Sequence, residues 1–294
     1  MSVTSILTKL PLCTIGAVAM FTTIAPASQA TTITFGATRD TTIYQNNNNS
    51  NGTGVGMFVG NNGMNSTRRA LTYFDIAGNL PTGASITDVQ LTLFLAQVAG
   101  SGGTPGRGDQ TPRNISLFRV SNSWGEGTSG PVPPSGTIGG TGEGFTPNPG
   151  DATWNARFYD SVNPVVWGTP GGDFAANPSA TITVSQNVNA GYTWGSTTQM
   201  IKDVQDWLDN PSENFGWLLQ NESESTRQSF RVFWTSNVND PELRPQLQIT
   251  FSEPVPEPSI SLGALAAISI GASLKHKFNR KQKSITCNDV GRHS

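Results

Sequence analysis

Between Thr31 and Pro254 the sequence holds no histidine and no cysteine; Cys13, Cys287, His276 and His293 all fall outside that span. A Ser-His-Asp triad, a Cys-His pair and a histidine-bearing zinc site are thereby excluded from it. Chemistry that needs only carboxylates stays open. Glu126, Asp151 and Asp173 lie in the glycine-rich middle of the chain, and glycoside hydrolysis takes two such groups about 5 Å or about 6.5–9.5 Å apart. The same three side chains equally suit turn caps or oxygen ligands for a structural calcium ion, with Asp151 and Asp173 singled out as the calcium candidates. No single sequence shows two of them converging, so no catalytic residue is assigned and no cofactor beyond that calcium is expected.

Binding chemistry has better raw material. Apolar sugar faces stack on flat rings while polar neighbours bond the ring hydroxyls. All seven tryptophans lie between Thr31 and Pro254. Trp207, Trp217 and Trp234 sit on helix or strand patterns and read as core. Trp124, Trp154, Tyr159, Trp167 and Trp194 fall within or beside loop-rich sequence. Packing is the simpler role for each, because large aromatics bury well; Trp124, Trp154, Tyr159 and Trp167 are the candidates for an exposed glycan platform. Charge narrows the ligand. The span carries 11 Lys plus Arg against 18 Asp plus Glu, a net charge of −7, and Lys202 is its only lysine. Such a body repels nucleic acid and anionic membranes and favours neutral glycans unless calcium bridges the charges.

The elements that would position these residues are mostly strands. Val89, Leu91, Leu93 and Leu95 alternate with Gln90, Thr92 and Phe94, and Leu247, Ile249 and Phe251 alternate with Gln248 and Thr250. Period two marks a strand with one buried face. Shorter candidates are 31–35, 41–44, 57–60, 69–75, 114–120, 180–184, 216–220 and 230–234, separated by Asn-, Gly-, Pro- and Ser-rich joints. The exception is 198–210, where Ile201, Val204, Trp207 and Leu208 recur at helical spacing and Asn210-Pro211 supplies a stop. Without cysteine the span forms no disulfide, so its own core must hold it.

Both ends of the chain carry an address. Residues 1–30 have a weakly basic start at Lys9, an apolar region from Leu10 to Ile24 and small residues at Ser28 and Ala30. This is the pattern of a secretory signal peptide cut after Ala30, or after Ala27 as the second choice. Near the other end stand Val255, Pro256, Glu257, Pro258 and Ser259, then an apolar run over 260–274, then Lys275, Lys277, Arg280, Lys281 and Lys283. Fifteen helical residues span about 22 Å, short of the ~30 Å hydrocarbon core, with flanking and snorkelling residues making up part of the difference. The basic cluster fits a stop-transfer role with the 275–294 tail in the cytoplasm. A Pro-Glu-Pro linker at 253–259, one short membrane helix and a basic end together resemble the PEP-CTERM sorting signal. The resemblance implies export by signal peptidase and the general secretion machinery, a transient membrane anchor, and processing by an exosortase-type protease. The destination is the cell envelope or extracellular matrix.

The intervening span 31–252 resembles the DNRLRE domain family, which is related to carbohydrate-binding modules. The matching pieces, in order, begin with Ala37-Thr38-Arg39-Asp40-Thr41-Thr42-Ile43-Tyr44, Arg68-Arg69-Ala70-Leu71-Thr72-Tyr73-Phe74-Asp75-Ile76 and Leu80-Pro81-Thr82-Gly83-Ala84. They continue through Ser123-Trp124-Gly125-Glu126, Ala152-Thr153-Trp154-Asn155, Gly171-Gly172-Asp173-Phe174, Asp203-Val204-Gln205-Asp206-Trp207, Asn214-Phe215-Gly216-Trp217 and Arg244-Pro245-Gln246-Leu247. The expectation is an all-β, jelly-roll-type antiparallel sandwich with one short capping helix, flanked by the signal peptide and a single C-terminal transmembrane helix. Its expected function is non-enzymatic polysaccharide binding; a purely structural matrix role and a carboxylate-pair glycoside hydrolase are the alternatives.

Overall fold

In the computed structural model, residues 29–131, 138 and 142–253 are described. The chain opens with β1 (Ala30–Gly36), β2 (Arg39–Tyr44), β3 (Gly56–Asn61) and β4 (Thr67–Tyr73), followed by β5 (Ser85–Val98) and β6 (Arg113–Arg119). Two short strands, β7 (Ala156–Phe158) and β8 (Val165–Val166), pair only with each other. Then come β9 (Ala180–Val184), β10 (Gly191–Trp194), helix α1 (Thr198–Asp209), β11 (Trp217–Asn221), β12 (Arg231–Trp234) and β13 (Gln246–Ser252). Among the described residues the fold is all-β and antiparallel, with one α-helix.

Eleven strands join one path, β1-β13-β5-β12-β3-β4-β11-β6-β9, with β10 added to β5 and β2 to β4. The path is thin at one point: β3 meets β4 only through Gly60–Arg68 and Asn61–Thr67. On either side of that corner the strands turn alternate residues to one shared core. Val89, Leu91, Leu93 and Leu95 of β5 and Leu247, Ile249 and Phe251 of β13 meet Ile115 and Leu117 of β6 and Trp217 and Leu219 of β11 there. The arrangement is sandwich-like. β1 closes it by pairing with β13, Ala30 opposite Ser252 and Gly36 opposite Gln246.

The strands of the second half are apolar on both faces. Ile43 of β2, Leu71 of β4 and Leu218 of β11 point away from the main core into a second cluster with Val120, Trp124, Ala152, Trp154 and Trp167. Residues 120–124, 152–154 and 167–174 therefore cover the outside of this sheet, and their tryptophans are the cover. Continuous apolar runs such as Trp217-Leu218-Leu219 have this physical cause: a strand buried on both sides has no polar face to alternate with.

Helix α1 starts where the Thr197 hydroxyl accepts the Met200 amide at 3.0 Å and stops before Pro211. Met200, Val204, Trp207 and Leu208 are buried against the main core. Asp203 shares that face, and its carboxylate accepts from Ser179 Oγ, from Gln199 Nε2 at 2.9 Å and from Trp217 Nε1 at 3.1 Å. A charge is tolerable in a core only with such a set of donors. Among the described residues no helix is long and apolar enough to cross a membrane. The 260–274 helix, the sorting motif at 255–259, the basic cluster from Lys275 to Lys283 and nearly all of the signal peptide lie outside the described residues.

Candidate functional site

Three of the four candidate platform residues are corrected by the structure. Trp124, Trp154 and Trp167 are 0%, 8% and 3% exposed, so none presents a ring face to a polymer. Each is held on several sides. Trp124 Nε1 donates to the Phe215 carbonyl at 2.8 Å, and the Arg39 guanidinium lies 5.1 Å from its ring. Trp167 Nε1 donates to the Thr153 carbonyl at 2.9 Å. The Arg69 guanidinium stands 5.0 Å from the Trp154 ring. Burial wins because these rings seal the outer face of the β2–β4–β11 sheet, which would otherwise expose Ile43, Leu71 and Leu218. Tyr159 alone of the four is half-buried, just after the end of β7. Trp194 and Trp217 are fully buried and Trp234 is partly buried.

The carboxylates are engaged too. Asp151 is fully buried, and its two oxygens accept the Thr128 amide at 2.7 Å and the Asn148 amide at 2.8 Å. Asp173 accepts the Gly168 and Thr169 amides and the Asn122 side chain at 2.8–3.0 Å. Both are turn caps, the first of the roles open to them. Glu126 is on a different neighbour, accepting the Asp40 amide at 2.9 Å.

Arg68 and Arg69 point to opposite faces of β4, as alternation requires, yet neither is a solvated edge. Arg68 is fully buried, donating to the Gly142 and Ser66 carbonyls and pairing with Glu143 at 3.1 Å. Arg69 makes a two-pronged bond to Glu224, both prongs at 2.9 Å. Arg231 is likewise buried, bonded to Asp109 at 3.0 Å and to the Thr111 carbonyl at 2.6 Å. Burial alone would raise the Asp109 carboxyl, but the Arg113 and Arg231 bonds outweigh it and hold the group below the usual range. Arg244 donates to the Val238 carbonyl at 2.9 Å.

An open groove of about 470 Å³ lies elsewhere, lined by Arg119, Val120, Ser121, Ala175, Glu213 and Phe215. The end of β6 and the turn after α1 supply it. Arg119 is already committed: its Nη1 donates to Asp206 at 2.6 Å, and its guanidinium stands 5.6 Å from the Trp207 ring. Burial opposes ionisation of Asp206, but bonds from Lys202 and Arg119 prevail and hold its carboxyl low. The groove offers one carboxylate, Glu213, one aromatic ring and no activated nucleophile. It can bond hydroxyl groups and has no second acid for hydrolysis. Sequence reasoning passed over it because its residues come from separate segments, and only Phe215 belonged to a quoted motif. No protein-family model matches the chain, and no curated protein matches it.

Proposed function

We propose that the 31–252 span is a non-catalytic structural domain of an exported surface or matrix protein, a jelly-roll-type β-sandwich of the DNRLRE kind. One observation carries this reading. Six of the seven tryptophans are buried, with only Trp234 partly open. Their ring area therefore goes into stability. Burying an aromatic side chain removes about 150–250 Å² from water, and at about 25 cal/mol per Å² each ring is a large favourable term. The engagement of Asp151 and Asp173 in turn amides supports the non-enzymatic part. The Pro-Glu-Pro linker, apolar run and basic cluster support sorting by an exosortase-type protease after export through signal peptidase.

The open groove favours a second reading, in which Ser121, Glu213 and Phe215 contact a neutral polysaccharide. One experiment separates the two. On the structural reading, the secreted protein stays in the supernatant with insoluble neutral or acidic polysaccharides, with or without calcium. Retention that disappears in both Phe215→Ala and Glu213→Gln would establish the groove as a glycan site instead. Sorting is tested apart from this: deleting 255–259 should trap the unprocessed chain in the membrane fraction. Equal partitioning of the deletion and the wild type would end the sorting proposal.

A further inference from the structure

Three carboxylates in the described domain are fully buried: Asp40, Asp151 and Asp203. Asp151 and Asp203 have donors on both oxygens. Asp40 does not. Its Oδ2 accepts the Ser236 amide at 2.8 Å, while its Oδ1 is buried without a hydrogen-bond partner. No arginine or lysine among the described residues pairs with it. Glu126, of the same sign, adjoins it: its Oε1 accepts the Asp40 amide at 2.9 Å. A buried carboxylate beside another, with an oxygen left bare, is among the most expensive arrangements a fold can hold.

The surroundings are rich in oxygen and close on themselves. Ser236, which holds one side of Asp40, is followed by Asn237, whose side chain donates to the Gly52 carbonyl at 3.2 Å. Gly52 presses on the Glu126 carbonyl so closely that a Cβ there would stand 2.2 Å from that oxygen. The next residue, Thr53, donates its amide to the Ser129 carbonyl at 2.9 Å. Asn51 Oδ1 and Ser129 Oγ, on the neighbouring turns, are also buried and unpartnered. Two of these turns thus bond Asp40 directly, and the turn at 52–53 ties them together.

We propose that Asp40, Glu126 and the turns at 51–53, 126–129 and 235–237 hold a calcium ion. A cation supplies what the site lacks, an electron-pair acceptor for Asp40 Oδ1 and a counter-charge for two adjacent carboxylates. Among the described residues no three acidic, histidine or cysteine side chains cluster, so the remaining ligands are amide, hydroxyl and carbonyl oxygens. Calcium accepts six to eight such oxygens in flexible geometry, whereas magnesium demands a near-ideal octahedron. Two carboxylates and neutral oxygens place the affinity on the order of 10⁻⁴–10⁻³ M, as in extracellular modules. Of the three carboxylates read from sequence as calcium candidates only Glu126 belongs to this site; the oxygens of Asp151 and Asp173 are taken by turn amides.

The test uses the full chain purified in detergent, stripped with EDTA and unfolded thermally in EDTA, in about 10 mM magnesium or in about 10 mM calcium. At that excess, calcium should raise the wild-type Tm by about 3–10 °C, with a smaller rise in magnesium. Asp40→Asn and Glu126→Gln should each abolish the calcium rise. Terbium(III), excited through the tryptophans, should luminesce on the wild type and be displaced by calcium. An unchanged wild-type Tm with no terbium signal would overturn the proposal and leave Asp40 as a protonated acid. A calcium rise that persists in Glu126→Gln places the ion elsewhere and overturns it equally. If Asp40→Asn fails to fold, Glu126→Gln decides.

Discussion

Asp40 is a case in which one atom without a partner sets the pH behaviour of a domain. Burial is the main cause pushing its carboxyl up to about 7, and the neighbouring Glu126 charge adds to it; only the Ser236 bonds pull the other way. Glu126 is raised as well, chiefly by burial, with Arg39 opposing. The sign follows from linkage. In the unfolded chain Asp40 loses its proton near pH 4, but in the folded, calcium-free protein it keeps the proton until about pH 7. Folded protein binds more protons across that window, so calcium-free stability should fall between about pH 4 and 7, by on the order of 4 kcal/mol. Urea melts in EDTA at a series of pH values would measure this, and Asp40→Asn should flatten the profile. A second residue-scale prediction concerns Trp124. Truncation to alanine empties a sealed site and removes the bond to the Phe215 carbonyl, so Trp124→Ala should cost about 3–5 kcal/mol of unfolding free energy. Unaltered stability would mean that the ring is not the cover described.

At the scale of elements, Gly216 shows how one backbone position fixes a strand junction. It enters β11 with φ +75°, and a Cβ there would stand 2.1 Å from the Thr72 carbonyl of β4. Backbone cannot yield as a flexible side chain can. Gly216→Ala should therefore destabilise the β4–β11 ladder by more than the ~1 kcal/mol typical of a left-handed alanine, a loss readable as a lower urea midpoint at unchanged slope. The elements themselves were mostly legible. β5 and β13 follow the alternation of Val89–Leu95 and Leu247–Phe251, and α1 follows Ile201, Val204, Trp207 and Leu208. β7 and β8 were missed because two or three residues are too few for any period to register, and β10 because its Gly191-Tyr192-Thr193-Trp194 lies between turn residues and carries no apolar alternation. The candidate site was far less legible. Trp124, Trp154 and Trp167 stand in loop sequence, and the apolar face that buries them is set by Ile43, Leu71 and Leu218 from distant strands. The unbroken Trp217-Leu218-Leu219 run was the available signal that this sheet is covered twice. Asp40 carried a signal as well, since aspartate is depleted within strands.

At the largest scale, the β-domain is closed by one edge pairing. β1 and β13 are sequence-distant partners, with seven paired positions from Ala30–Ser252 to Gly36–Gln246. Among the described residues β1 has no other strand beside it. Its inner residues Ile33 and Phe35 are only partly buried against the core. Removing 30–36 should thus leave the remaining sheet formed but less stable, visible as a retained β-type far-UV spectrum with a lowered Tm. Loss of all folded signal would instead make β1 part of the indispensable core. The same pairing gives the domain a mechanical direction. Ala30 and Ser252 leave the sheet side by side, so tension drawn between them peels β1 from β13 one rung at a time and meets little resistance. Tension between Ser252 and the opposite end of the sheet runs along β13, where every rung to β5 must slip together. A domain held by the Ser252 side is thus compliant to one pull and stiff to the other.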